Sequence, residues 1–276
     1  MNNKPLFFLH IPRTGGTTVD AILLKNFNQD SVLKIYNANE YKNNRFYDSD
    51  EIKKIKYITG HLLLDKYDPP QIYGQEVSVF TFLRDPIQRL ISEYIFYKTW
   101  TNNHLYKYIN ENKISFRNYI QSSEKILKYR GKNFMTRCIS GVGFEYNKSS
   151  LVALAAAKRN LDKNFFFVGI TEQFTESLFL LSKKTSLNIF LHEQHNKLNA
   201  KLKNEISDDD INVAKELNQT DYSLYNFAVK LFNDRINNEG EEFKRNIYEF
   251  KLNNVEYQKQ MLKMDNNDEK LIYLPK

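Results

Sequence analysis

The sequence predicts an α/β fold in three layers, a central, mainly parallel sheet flanked by helices. Three observations carry that expectation. Apolar runs of strand length alternate with stretches of helical periodicity. Two of the runs, 6–11 and 77–83, lead within a few residues into a helix start. The first of these junctions holds a glycine pair, Gly15 and Gly16, which permits backbone angles and close approaches that a Cβ forbids.

The elements follow in order. LFFLHI (6–11) reads as a buried strand, ended by Pro12, which cannot donate a ladder hydrogen bond. From Thr18 onward, Val19, Ile22 and Leu23 recur at helical spacing. Residues 37–51, rich in Asn, Lys and Tyr, read as loop. IKYITG (55–60) is a second strand, ending at Gly60 and His61, and VSVFTFL (77–83) is a third. In DPIQRLISEYIFY (85–97), Asp85 is the N-cap and Pro86 takes the first helical position. Residues 100–148 mix helix and loop; 149–161 form a strong helix; FFFVG (165–169) is a further strand, followed by a helix through TEQFTESLFLL. Ser207 and three aspartates after it make a capped, dipole-matched helix start. Leu224, Phe227, Ala228, Leu231 and Phe232 then form a core-facing stripe. From Asn237 the chain is charged and poor in apolar residues. The expected organisation is one domain over 1–236 and a charged C-terminal tail or helical extension over 237–276, whose order and role in oligomer contacts the pattern leaves open.

The chain has 276 residues, enough for a sizeable core, and a formal net charge of +7, which favours anionic ligands. It shows no Cys/His finger, no basic heptad helix and no RNA-binding aromatic signature, so the charge does not read as nucleic-acid binding. Cys138 is the only cysteine, which excludes an intrachain disulfide and a thiolate metal cage. His192 and His195 have an i, i+3 spacing open to a metal, but no third ligand accompanies them, so no metal is expected. MNNKPLFFLHIP lacks the charged lead, apolar stretch and cleavage site of a leader, and no run reaches the ~20 apolar residues of a membrane span. A soluble, cytoplasmic protein is expected.

HIPRTGGTTVDAIL (10–23) is an anion site by construction. The first amides of a helix are unpaired and point back at the turn, and the helix dipole adds positive potential there. Arg13 contributes a full charge; Thr14, Thr17 and Thr18 contribute hydroxyls. The plainer reading is a tight strand-to-helix turn without a ligand. A Walker A loop, G-x-x-x-x-G-K-[ST], does not fit: Thr17 stands where its lysine would be and Ile11 where its first glycine would be. FTFLRDPIQRLISEY (80–94) supplies a second site. Arg84 ends a buried strand, on the edge where parallel sheets bind ligands. The alternative for Arg84 is an ion pair with Asp85 or a neighbouring acid. Ser92 reaches the same anion only if its helix packs alongside. A glycine cradle and an arginine suit a ligand with two separate anionic groups.

Together, HIPRTGGTT and RDPIQRLISEY resemble the motifs of carbohydrate sulfotransferases that use 3′-phosphoadenosine 5′-phosphosulfate (PAPS), the branch of the heparan sulfate 2-O- and 6-O-sulfotransferases and their bacterial relatives. TGHLL (59–63), NFMTRCISG (133–141), FVGITEQFTESLFLL (167–181) and DYSLYNFA (221–228) extend the resemblance to roughly residues 5–236. It implies a P-loop-NTPase-like fold and sulfuryl transfer to a hydroxyl, with a saccharide acceptor. The cofactor set it implies is Arg13, Thr14, Gly15, Gly16, Thr17 and Thr18 at the 5′-phosphosulfate, with Arg84 and Ser92 at the 3′-phosphate. Thr136 and Arg137 would flank the nucleotide, or lie on a helix surface. His61 would be the general base, with pKa near 6.5 in its unperturbed form; read alone it fits a turn-capping histidine better, and the resemblance reverses that order. His10 reads as structural. Tyr94, Tyr97 and Trp100 are candidates to line an acceptor cleft. The family's usual cradle lysine is replaced by Arg13, which keeps the charge but hardly ever releases a proton. A nucleotide-dependent kinase and a non-catalytic PAP-binding module are the competing readings.

Overall fold

A computed structural model describes residues 4–36, 50–61, 71–72, 74–127, 130–142, 150–192 and 200–267. Its central feature is a five-stranded sheet of β1 (Leu6–Leu9), β2 (Val32–Ile35), β3 (Tyr57–Gly60), β6 (Ser78–Leu83) and β7 (Phe165–Ile170). β4 (Gln71–Ile72) and β5 (Gln75–Glu76) form a separate antiparallel hairpin. The order across the large sheet is β2-β3-β1-β6-β7, and every pairing is parallel. Strands buried on both faces read as continuous apolar runs. β1 is such a strand, with Phe7, Phe8 and Leu9 all buried. β1 pairs with β3 on one side and β6 on the other, so the chain's direction of travel reverses beside it. The carboxyl ends of the strands at that reversal open a crevice.

Eleven α-helices are described: α1 (Gly16–Leu23), α2 (Pro86–Thr99), α3 (Tyr106–Glu111), α4 (Phe116–Gln121), α5 (Phe134–Ser140), α6 (Ser150–Lys163), α7 (Phe174–Thr185), α8 (Ala200–Asn204), α9 (Asp208–Leu217), α10 (Gln219–Asn237) and α11 (Glu241–Asn267). The sheet and its flanking helices share one apolar core. A second cluster, including Leu90, Tyr94, Ile109, Tyr119 and Ala214, joins α2, α3, α4 and α9 into a helical layer beside the first. α2 carries the end of β6 into that layer and so links the two.

The expected elements are present with shifted ends. α1 starts at Gly16, three residues before the first periodic side chain, Val19, because Gly15 in a left-handed conformation (φ 87°) serves as the N-cap. Ser207 and Asp210 form the capping box of α9. The stripe on α10 buries Leu224, Ala228 and Phe232 completely. β2 was not anticipated: it is an edge strand of four residues with Lys34 exposed in the middle, too short and mixed to register as an apolar run. The charged C-terminal segment is helical over Glu241–Asn267, and it docks. Phe243 and Phe250 pack on Phe179 of α7, and the Asn254 side chain accepts from the His192 amide (2.8 Å). Residues 37–49, 62–63 and His195 lie outside the described residues.

Candidate active site

The cradle begins where β1 ends. Arg13 and Gly15 both adopt left-handed backbone angles, φ 70° and 87°. For glycine this costs nothing; for arginine it stores on the order of 1–2 kcal/mol. Left-handed residues alternating along a loop turn successive amides to one side and form an anion-binding nest. The bonding agrees. Thr18 and Val19 amides return to the Gly15 carbonyl (3.1 and 3.2 Å), whereas the amides of Gly15, Gly16 and Thr17 find no acceptor among the described residues. α1 has no side-chain cap and no acidic residue in its first turn. Gly16 is required by contact: a Cβ there would stand 2.1 Å from the His10 ring. The Thr14 hydroxyl is turned inward to the Ile11 carbonyl (2.8 Å), so Thr14 contributes backbone to the cradle. Thr17 is exposed and Thr18 buried.

Arg84 leaves the end of β6 and donates to the Arg13 carbonyl (3.1 Å). Arg13 donates through Nε to the Ser92 hydroxyl (3.0 Å), and its guanidinium lies 4.7 Å from the centre of the Phe96 ring. Ser92 does therefore pack alongside the site, on the second turn of α2. Burial lowers the pKa of Arg13, and Arg84 lowers it further. Burial likewise lowers that of Arg84, with Glu172 opposing. Two guanidiniums withdrawn from water beside each other form an arrangement an anion relieves. Arg84 forms no ion pair within 4.0 Å among the described residues, so the alternative of a pair with Asp85 does not hold; Asp85 instead caps α2 by accepting from Ile87 and Gln88 (3.0 and 2.9 Å).

His61 follows β3 directly. Its Nδ1 lies 2.7 Å from the His10 carbonyl, and its amide bonds the Ile35 carbonyl (3.1 Å). A carbonyl only accepts, so Nδ1 carries the hydrogen and neutral His61 keeps its lone pair on Nε2. The residue is exposed, but His10 and Tyr36 wall its ring, with centroids at 4.7 and 5.0 Å. Withdrawal from water lowers its pKa; the bond to His10 opposes this and the charge of Arg130 adds to it. Behind the wall, buried Asp20 accepts from the hydroxyls of Tyr57, Thr59 and Tyr36 (2.7, 3.0 and 3.1 Å). His10 is buried, and its pKa is pushed down to about 3 by burial, then by His61 and Arg13, so it stays neutral.

The structure thus brings Arg13, residues 14–18, Arg84, Ser92 and His61 to the carboxyl edge of the sheet. It does not bring Thr136 there as a ligand contact. Thr136 is 1% exposed, and its amide and hydroxyl both bond Asp221 (2.7 Å each), which also takes the Met135 amide. Thr136 is a fixture of the α5–α10 packing. Arg137, the next residue on α5, is half-buried. Tyr94 is likewise core, with its hydroxyl on the Ile114 carbonyl (2.9 Å), while Trp100 is 45% exposed. Tyr36 belongs to no motif, and Asp20, although it lies within the 10–23 stretch, carries no signal there that it joins β3 and Tyr36 behind the site. Among the described residues no group of three or more His, Cys, Asp or Glu could hold a metal, and no helix is long and apolar enough to cross a membrane.

A family model described as the sulfotransferase family matches residues 2–228. The chain belongs to that family. No curated protein matches it. Among solved structures, it is similar to mouse sulfotransferase SULT7A1 complexed with PAP, at 15% identity and a TM-score of 0.37, over 91% of this chain and 84% of that one. A likeness of that degree assigns no residue here.

Proposed function

We propose that this chain moves the sulfuryl group of PAPS to an acceptor hydroxyl, a saccharide hydroxyl by its motifs, with His61 as general base. The observation that carries the reading is the placement of a base and two anion contacts at one sheet edge. His61 presents an Nε2 lone pair, the nest of residues 13–17 leaves amides open, and Arg84 stands at the neighbouring strand end. When bound, PAPS supplies an electrophilic sulfur with a phosphate leaving group. Open amides and the Arg13 guanidinium neutralise charge growing on that phosphate, a role for preorganised donors. Arg13 acts as a fixed cation and not as an acid, since its guanidinium holds its proton. Arg84 takes the second phosphate, together with Ser92, whose hydroxyl accepts from Arg13. His61 Nε2 accepts the hydroxyl proton as oxygen attacks sulfur. The cofactor set is the earlier one without Thr136, whose hydroxyl is committed to Asp221.

The pH dependence has a definite sign. Because the packing of its ring against His10 and Tyr36 withdraws it from water and lowers the His61 pKa, the neutral base is favoured at pH 7. Turnover is expected to rise through a midpoint below 6.5 and to be flat above pH 7. His61→Ala is expected to leave PAP affinity within about twofold and to slow single-turnover sulfation by roughly 10²–10⁴. Calorimetry with PAP in EDTA, and glycan sulfation followed by mass spectrometry, measure the two quantities. A folded, PAP-binding variant that sulfates at the wild-type rate would remove His61 from the mechanism. Binding of ATP with Mg²⁺ but not of PAP would replace the reading with a kinase.

A further inference from the structure

The ring of His61 is held on three sides. Nδ1 bonds the His10 carbonyl, the His10 ring lies against one face, and the Tyr36 ring meets it edge-on at an interplanar angle of 78°. The bond fixes the tautomer, whereas the direction of Nε2 is set by what the ring leans on. The two walls are anchored differently. His10 is 8% exposed and stacks on Phe8 at 5.2 Å, so the core holds it. Tyr36 is 38% exposed and follows the end of the edge strand β2. Its hydroxyl donates to Asp20 Oδ2 (3.1 Å), which pins the ring from behind.

Asp20 is buried on α1, one turn after Gly16, and its carboxylate is a meeting point. Tyr57 and Thr59, on the strand that presents His61, donate to it (2.7 and 3.0 Å). His10 Nδ1 stands 3.6 Å from the same Oδ2 that Tyr36 reaches. One side chain of the cradle helix therefore touches the strand that carries the base and both rings that wall it. Burying a carboxylate costs free energy that an apolar residue would not. What it gains here is three donors converging on one point.

We infer that Asp20 and Tyr36 are positioning residues for the base: Asp20 pins the Tyr36 hydroxyl, and the pinned ring holds the direction of His61 Nε2 and shields its edge from water. This rests on the proposed sulfotransferase reading. It adds a fixed geometry between base and donor site, because Asp20 and the nest belong to one helix.

The test follows His61 by NMR in the isotope-labelled full chain. In the wild type, a nuclear Overhauser contact between the Tyr36 and His61 rings is expected, with the proton on Nδ1. Tyr36→Phe keeps the ring and loses the tie, so the contact should weaken. Asp20→Asn should weaken it as much or more. The double variant should do no more than Asp20→Asn alone, the mark of two residues acting as one unit. Tyr36→Ala removes the wall and alters no charge near neutral pH. The other groups around His61 stay: His10 after β1, Asp20 on α1, Tyr57 on β3, and Arg130 ahead of α5. The His61 titration midpoint should therefore rise toward 6.5 as water reaches the ring. A merely structural Tyr36 would lower the melting temperature of Tyr36→Ala and leave that midpoint where it was. That result, or a ring contact of full strength in both Tyr36→Phe and Asp20→Asn, would overturn the inference. If Asp20→Asn does not fold, the two Tyr36 variants decide it. PAP affinity of Tyr36→Ala, read by calorimetry, should match the wild type. A large loss with the midpoint unmoved would place Tyr36 on the nucleotide and overturn the positioning role. Failure of the wild type to bind PAP would be a failure of the sulfotransferase reading, and is distinct from these.

Discussion

Two strand–turn–helix units meet at this site, and they handle a helix N-terminus in opposite ways. At β6–α2, Asp85 accepts two of the first amides and Pro86 has none to offer, so the helix end is closed. At β1–α1, a glycine caps in the left-handed conformation, no side chain intervenes, and the first amides remain open. In the proposed binding mode the closed end serves an anion through the Arg84 side chain in front of it, and the open end serves one through its backbone. On that reading one architecture gives a cradle that encloses a group and a point contact that registers a charge. The former depends on exact steric room and the latter on a single residue.

Filling the open end is expected to have the largest effect. Gly16→Ala pushes a Cβ into the buried His10 ring, and overpacking of this kind costs about 1–3 kcal/mol of stability. Because the nest itself must shift, PAP binding is expected to be lost at concentrations that saturate the wild type. Thermal melts with and without PAP read both consequences; a variant with unchanged melting and PAP affinity would show that the cradle is not where the backbone places it. Next in size is the point contact. Arg84→Ala is expected to weaken PAP by about 1.5–3 kcal/mol while sparing a nucleotide without the 3′-phosphate. Equal losses for both nucleotides would make Arg84 structural, a support for the Arg13 carbonyl. The smallest effect sharpens the contrast. Asp85→Ala reopens the closed end at a cost of about 0.5–2 kcal/mol in stability, the usual loss on removing a cap, with PAP affinity nearly unchanged. A gain in PAP affinity would mean that the freed amides of α2 can also reach the anion.

What the sequence made legible was local. The glycine pair, the strand-end arginine and the Asp85-Pro86 start each declare themselves within a few residues, because backbone conformation and capping are short-range effects. The mainly parallel sheet followed from the alternation of strand and helix, its strand order did not, and β2 went unread because an edge strand needs no long apolar run. Contacts between distant segments were hidden. Nothing in the sequence sets Ser92 against Arg13, or turns the Thr136 hydroxyl away from the site to Asp221, 85 positions on. Tyr36 carries no motif, and only the folded chain shows that its ring walls the proposed base. Asn237 onward looked like tail because the charged residues of α11 outnumber the apolar ones that dock it on α7.

One hydroxyl joins the two candidate anion sites. Thr171, just past β7, shares its proton between the carbonyls of Thr14 in the cradle and Leu83 beside Arg84 (2.7 and 2.9 Å). The two loops are thus tied to a third strand end by one side chain. In the proposed binding mode that tie makes the site a gauge of length: a nucleotide is selected by the distance between its two phosphate groups as well as by their charge, and a longer or shorter bis-anion forfeits one contact to keep the other.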